Sequence, residues 1–189
     1  VPKILFFAFW LCTWVIRYPF HKRNKENKIT TSHKTRQEKW LLFLTGLGMI
    51  IVPVLYLITP AFSFADYTPT YYMVIPGVLL TIPVLWLFYR SHRDLGRNWS
   101  ATLEVREDHS LITGGIYAKI RHPMYTAIWG WVIIQALLLP NYVAGAAGIL
   151  GFGLLYALRV GQEEQMMAQQ FGGAYRRYMQ ITGRLLPKF

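Results

Sequence analysis

Cysteine is nearly missing from this sequence: Cys12 is the one thiol in 189 residues, so neither a disulfide framework nor a cysteine-built metal site is available. Acidic residues are scarce too, nine against twenty Lys and Arg, which leaves a formal net charge of +11 at pH 7. The five histidines (His21, His33, His92, His109 and His122) never fall three or four residues apart and form no HExxH pattern, so no metal site is expected. The most telling absence is positional. No Lys or Arg occurs from Trp40 through Tyr89, nor from His122 through Leu158, whereas Arg17, Lys22, Arg23, Lys25, Lys28, Lys34, Arg36 and Lys39 crowd into one segment. A soluble domain spreads its charges over every surface helix. With 53% hydrophobic and 16% aromatic residues, this chain separates apolar bulk from basic charge, which points to a protein solvated by a bilayer. The positive charge then reads as topology, and nucleic acid is not an expected partner.

A helix needs about 20 apolar residues to cross the hydrocarbon core, because an unsatisfied backbone group is too costly in lipid. About five segments qualify or nearly so: 2–18, 40–59, 71–89, 123–139 and 142–158. The expectation is an all-α integral membrane protein in which residues 1–189 form a single membrane-embedded domain. The first segment is short and precedes basic residues, as in a signal sequence. It lacks a small-x-small cleavage site, however, and its strong charge follows the apolar run instead of leading it. The linkers alternate: 17–39 is basic, 60–70 has no Lys or Arg, Arg90 to Arg121 holds six, and Pro140-Asn141 is a tight turn. Because Lys and Arg collect on the cytoplasmic side, the N-terminus is expected outside. Both basic loops and the tail from 159 to 189 then lie in the cytoplasm.

Pro53, Pro76 and Pro83 each remove a helical hydrogen bond and should bend their spans. In the last span Ala144 with Gly148, and Ala147 with Gly151, give small-xxx-small spacing that lets a neighbouring helix approach closely. Gly145, Gly148, Gly151 and Gly153 do not make a nucleotide-binding loop, since no strand precedes them and they lie within one apolar helix. Beyond Arg159 the helical pattern continues in polar form to Gly172-Gly173, and Ala174 to Ile181 forms an amphipathic segment suited to the membrane interface.

Arg121-His122-Pro123-Met124-Tyr125 stands where the second basic loop enters a span, and proline suits the first turn of a helix. The unpaired first-turn amides and the positive dipole end favour an anion there, with Arg121 reinforcing it. The bland alternative is a helix end anchored at the headgroups. Upstream, Gly114-Gly115-Ile116-Tyr117 can bring backbone amides close to a ligand. Arg159 and Glu163 are four apart and share a face, with Glu164 turned about 100° away. A solvated ion pair is one account, but charges at the edge of a span are costly unless paired or functional.

The run Arg121-His122-Pro123-Met124-Tyr125, then Glu163-Glu164, Phe171-Gly172, Tyr175, Tyr178 and Thr182-Gly183-Arg184-Leu185-Leu186-Pro187, resembles the isoprenylcysteine carboxyl methyltransferase family. His92 to Ser100 looks like the corresponding loop of its prokaryotic members, and related phospholipid N-methyltransferases share the same arrangement. The resemblance implies a membrane methyltransferase using S-adenosylmethionine, with S-adenosylhomocysteine as product, in a cytoplasm-facing pocket formed by the loop and C-terminal helices. It implies cofactor contacts from Gly115, Ile116, Tyr117, Arg121, His122, Tyr125, Glu163 and Glu164. Arg159 and Glu163 would be catalytic, and Arg159, with Trp99 and Ser100, would meet the acceptor.

The implied acceptor is lipophilic with a polar end at the cytoplasmic interface, either a prenylcysteine-like carboxylate or a phospholipid amine. The bilayer and that acceptor are the expected partners. Two other readings are open: an NADPH-dependent reductase, since sterol reductases share a similar C-terminal half, and a non-enzymatic scaffold whose basic loop binds anionic lipid. The scaffold leaves the constellation from Arg121 to Glu164 unexplained.

Overall fold

The structure is a computed structural model that describes residues 1–24, 29–32, 35–96, 104–106 and 110–188. Trp99 and Ser100 lie outside the described residues.

Helix α1 (Pro2–Asn24) carries the first apolar run past Pro19 into the basic segment. The second span is one rod in three pieces: α2 (Arg36–Gly46), a π-helical stretch (Leu47–Ile51) and α3 (Val52–Ile58). Pro53 explains the irregularity. In the wider π pattern the amide of Val52 reaches the carbonyl of Leu47, and the next donor in line for Gly48 would be the nitrogen of Pro53, which carries no hydrogen. Gln135, fully buried on α5 (Pro123–Leu138), supplies the missing donor. Its Nε2 donates to Gly48 O at 2.9 Å and to Ala144 O at 2.7 Å. One side-chain amide thus ties together three helices in a medium that offers no water as substitute.

Helix α4 (Tyr71–Leu95) holds Pro76 and Pro83 and runs six residues beyond Tyr89. Helix α6 (Tyr142–Phe171) is a single 30-residue rod, so the polar stretch after Arg159 does extend the last span. Gly172 ends it at φ 54°, a conformation that favours glycine, and α7 (Gly173–Ile181) follows. In the basic loops, β1 (Ile29–Ser32) pairs antiparallel with β2 (Glu104–Arg106), a short ribbon in an otherwise helical chain.

Among the described residues four helices are long and apolar enough to cross a membrane: 2–23, 36–58, 71–95 and 142–171. The expected span at 123–139 is the exception. At 16 residues, or about 24 Å, α5 is shorter than the hydrocarbon core. It can be short because it sits in the middle of the bundle, where Ala127, Val132, Ile134 and Gln135 are wholly buried against α4 and α6. Large apolar side chains instead point outward from the surrounding helices, among them Ile4, Val15, Leu79, Ile82 and Leu150. A belt of that kind belongs in lipid, and the chain is a multi-pass integral membrane protein.

The small residues of α6 serve two neighbours. Gly145 faces Ala136 of α5 and Leu139 just beyond its end across the tight hairpin, whereas Gly151 lies against the backbone of Leu44 and Thr45 in α2. On the opposing rod, a Cβ at Gly48 would fall 2.2 Å from the carbonyl oxygen of Ala147. At the far end Asn141 caps α6 through Ala144 N and donates to Phe62 O and Asp66 Oδ1, closing the uncharged loop onto the hairpin.

Candidate active site

His122 is the N-cap residue of α5 and Pro123 its first helical residue, as the sequence suggests. What holds that helix start in place is the chain's closing segment. Arg121 N donates to Gly183 O at 2.8 Å, His122 N to Arg184 O at 3.0 Å, and Thr126 Oγ1 to Leu185 O at 2.6 Å. Backbone groups that would otherwise be orphaned at a helix start are thereby paired.

Around this start the two adjacent glutamates of α6 take different roles. Glu164, with a side chain 7% exposed, is gripped by three groups: Arg121 Nε at 3.2 Å, Arg184 through Nη2 at 2.5 Å and Nε at 3.2 Å, and His122 Nε2 at 3.3 Å. Arg121 also donates through Nη1 to the carbonyls of Met179 and Thr182 at the end of α7, where a cation is favoured. The guanidinium of Arg184 is pushed further up by its hydrogen bond to Glu164. Glu163 has a 27% exposed side chain. It accepts a hydrogen bond from Tyr125 Oη at 2.5 Å and lies 3.7 Å from His122 Nδ1 and 3.8 Å from Arg159 Nε. The ring of Tyr125 stacks on that of His122, with centroids 5.3 Å apart.

Glu163 borders a cavity of about 370 Å³, whereas Glu164 does not. The wall is ordered by depth. Along α5 it passes from His122 and Tyr125 to Ile128 and Trp131; along α6 from Glu163 and Arg159 to Leu155; along α4 from His92 to Phe88. On each helix the polar groups lie toward the loop end, interspersed with Leu95, Met124 and Met167, and the wall is apolar a turn or two deeper. Tyr117, Tyr175 and Tyr178 complete the polar end. Burial raises the pKa of all three phenols, that of Tyr178 to about 12 despite the opposing effect of Arg121, so they are neutral donors near neutral pH. Tyr178 Oη donates to Tyr117 O at 2.6 Å, fixing the loop to α7.

The structure therefore brings Tyr117, Arg121, His122, Tyr125, Arg159 and Glu163 to one cavity. Glu164 and Arg121 are bound to each other and to the closing segment, and of the two only Arg121 lines the cavity. The amides of Ile116 and Tyr117 are also engaged: Ile116 N donates to Asp94 Oδ2 at 2.9 Å, and Tyr117 N to Gly114 O at 3.1 Å. Gly115, at φ 61°, is the pivot that lets this loop fold against Asp94.

Several site residues went unseen. Glu38 of α2 is buried and lies 3.6 Å from Arg159 Nη1. Its signal is an acid at the edge of a span within a basic segment, which demands a partner. Arg17 lines the cavity without any sequence pattern that marks it, and His92, which opens the run that resembles the prokaryotic loop, lines it as well. Arg184 stood inside a motif whose role could not be read.

The architecture and the cavity define a multi-pass helical membrane protein with a polar site at one end of its bundle. Residues 77–169 match the family model described as the isoprenylcysteine carboxyl methyltransferase (ICMT) family. This segment supplies the α4, α5 and α6 walls of the cavity.

The chain is 35% identical over 72 residues to the protein-S-isoprenylcysteine O-methyltransferase of Schizosaccharomyces pombe, covering 38% of this chain and 30% of that protein. It is 31% identical over 87 residues to protein-S-isoprenylcysteine O-methyltransferase B of Arabidopsis thaliana, covering 45% and 44%. To the Homo sapiens protein it is 31% identical over 84 residues, covering 44% and 30%. In each case the match spans less than half of the relative. The solved structure of a eukaryotic intramembrane Ras methyltransferase, ICMT, superposes with a TM-score of 0.60 at 21% identity, covering 99% of this chain and 68% of that one. At that identity the likeness is one of fold.

Proposed function

We propose that this chain is an S-adenosylmethionine-dependent membrane methyltransferase that esterifies the carboxylate of a lipophilic, prenylcysteine-like acceptor at the cytoplasmic interface. The names carried by its relatives favour that chemistry. The observation that supports it most is the cavity itself, which joins a carboxylate and several donors at one end to an apolar wall at the other.

The residues present fit the cofactor. Glu163, partly exposed and held by Tyr125, suits the ammonium of the methionine moiety, and His122, Tyr117, Tyr175 and Tyr178 form the polar wall around it. When bound, S-adenosylmethionine supplies a methyl group on a positively charged sulfur, an electrophile that needs no nucleophilic side chain. The protein's task is then alignment and exclusion of water. Arg159, anchored between Glu38 and Glu163, is placed to orient an acceptor carboxylate. The apolar wall formed by Phe88, Ile128, Trp131 and Leu155 lowers the local dielectric, which favours a reaction in which opposite charges neutralise each other. The basic loops favour a cytoplasmic position for this end of the bundle, with the N-terminus outside.

Transfer of radiolabel from methyl-labelled S-adenosylmethionine to N-acetyl-S-farnesylcysteine, released as methanol by base, is the expected result for protein in nanodiscs. Base-stable label on a phospholipid amine, with none on the carboxylate, would replace the acceptor assignment.

A further inference from the structure

The family-matched segment begins at residue 77, yet one wall of the cavity comes from upstream of it. Leu42, Thr45, Gly46, Met49 and Ile50 all line the cavity. Their spacing of i, i+3, i+4, i+7 and i+8 is a single stripe along the second rod. In the middle of that stripe stands a glycine with no packing reason to be one. A Cβ built at Gly48 would strike Ala147, and one at Gly151 would strike Leu44, so those glycines permit helices to touch. A Cβ at Gly46 meets nothing within 4 Å. Its missing side chain leaves a notch in the cavity wall, not a close contact.

We propose that Gly46 sets the bulk of the acceptor's lipid chain: the chain lies along the stripe from Leu42 to Ile50 and passes the wall at the notch that Gly46 leaves. This inference rests on the acceptor reading given above and adds the specificity determinant. Because the stripe lies outside the family-matched segment, chain-length preference is a property of this protein's own second span. Thr45 next to the notch is fixed by hydrogen bonds to Leu41 O at 2.8 Å and Gly151 O at 3.2 Å, so the wall around it is rigid.

The test compares the whole protein in nanodiscs with Gly46→Ala, Gly46→Leu and, as control, Gly161→Leu. Gly161 also has open space before it but does not line the cavity. Two readouts are taken: kcat/KM for N-acetyl-S-geranylcysteine and N-acetyl-S-farnesylcysteine, and the thermal shift that each compound's non-reactive amide produces. A single methylene in an apolar pocket discriminates by about tenfold or more. The farnesyl-to-geranyl ratio should therefore fall at least about tenfold in Gly46→Leu and by less in Gly46→Ala, following the added bulk. Gly161→Leu should keep the wild-type ratio, and S-adenosylhomocysteine affinity should stay within about twofold in every variant.

An unchanged ratio in Gly46→Leu, or an equal loss for both acceptors, would overturn the notch. Thermal shifts that follow chain length without methyl transfer would leave the notch standing and remove the carboxyl-methylation reading. Absence of any shift from the prenyl amides in the wild type would remove the lipid wall altogether.

Discussion

Glu163 and Glu164 are consecutive on α6, and the turn of about 100° between them separates cavity-facing chemistry from structural chemistry. Glu163 faces the cavity and takes a hydrogen bond from Tyr125; Glu164 faces Arg121, Arg184 and His122 and locks the closing segment against the start of α5. The two carboxylates should consequently fail in opposite ways. Glu163→Gln removes a charged partner of the ligand ammonium and should weaken S-adenosylhomocysteine binding by about 10- to 100-fold, as expected for a charge-assisted hydrogen bond worth about 1.5–3 kcal/mol. Its thermal midpoint should hardly move. Glu164→Gln leaves buried Arg121 without its countercharge and should cost on the order of 3 kcal/mol of stability. Calorimetry and thermal unfolding of the two variants side by side check this.

Gly115 tests how the loop before α5 is positioned. An alanine there would have to adopt φ 61° and would place its Cβ 2.3 Å from Asp94 Oδ2, the atom that accepts the Ile116 amide. The left-handed conformation alone costs about 1–2 kcal/mol. Gly115→Ala should weaken S-adenosylhomocysteine binding severalfold by displacing Tyr117. Gly114→Ala, with open space before it, should bind like the wild type. Equal affinities for the two variants would mean that the Asp94 latch does not shape the cavity.

Close packing of the second rod on α6 predicts a stability effect remote from the site. Gly48→Ala must push a methyl group into the Ala147 backbone, and Gln135→Leu would strip Gly48 and Ala144 of their shared donor. Overpacking costs about 1–3 kcal/mol, and an orphaned buried carbonyl a comparable amount. Both variants should unfold at lower temperature in detergent, by contrast with Gly46→Ala, which introduces no such collision.

Tyr178 gives the alkaline limit of the fold. Burial raises its pKa from 10.0 to about 12, so the folded state holds this proton more tightly than the unfolded state. That contribution is complete below pH 10 and is lost as pH rises toward about 12. Stability should therefore fall across that interval, with tyrosinate absorbance rising in step, and Tyr178→Phe should flatten the fall.

Much of this was legible because long apolar runs and gaps in Lys and Arg have few structural solutions. The helical spans, the polar extension of α6, the glycine stop at Gly172 and the cap at His122 all follow local rules that the residues themselves state. The central place of α5 was not legible, because a short apolar helix buried among others reads the same as a span in lipid. Nor was the division between Glu163 and Glu164: helical periodicity gives the angle between them, but not which side meets Arg184 from a segment twenty residues later. Arg17 comes to the cavity, and Glu38 to Arg159, through tertiary packing of helices that share no motif.

The most direct test of the account is calorimetric titration of the detergent-purified protein with S-adenosylhomocysteine, with NADPH as matched control. Binding of S-adenosylhomocysteine in the micromolar range, weakened about 10- to 100-fold by Glu163→Gln and absent for NADPH, is the predicted result. Binding of NADPH instead, or no binding of either by folded protein, would contradict it.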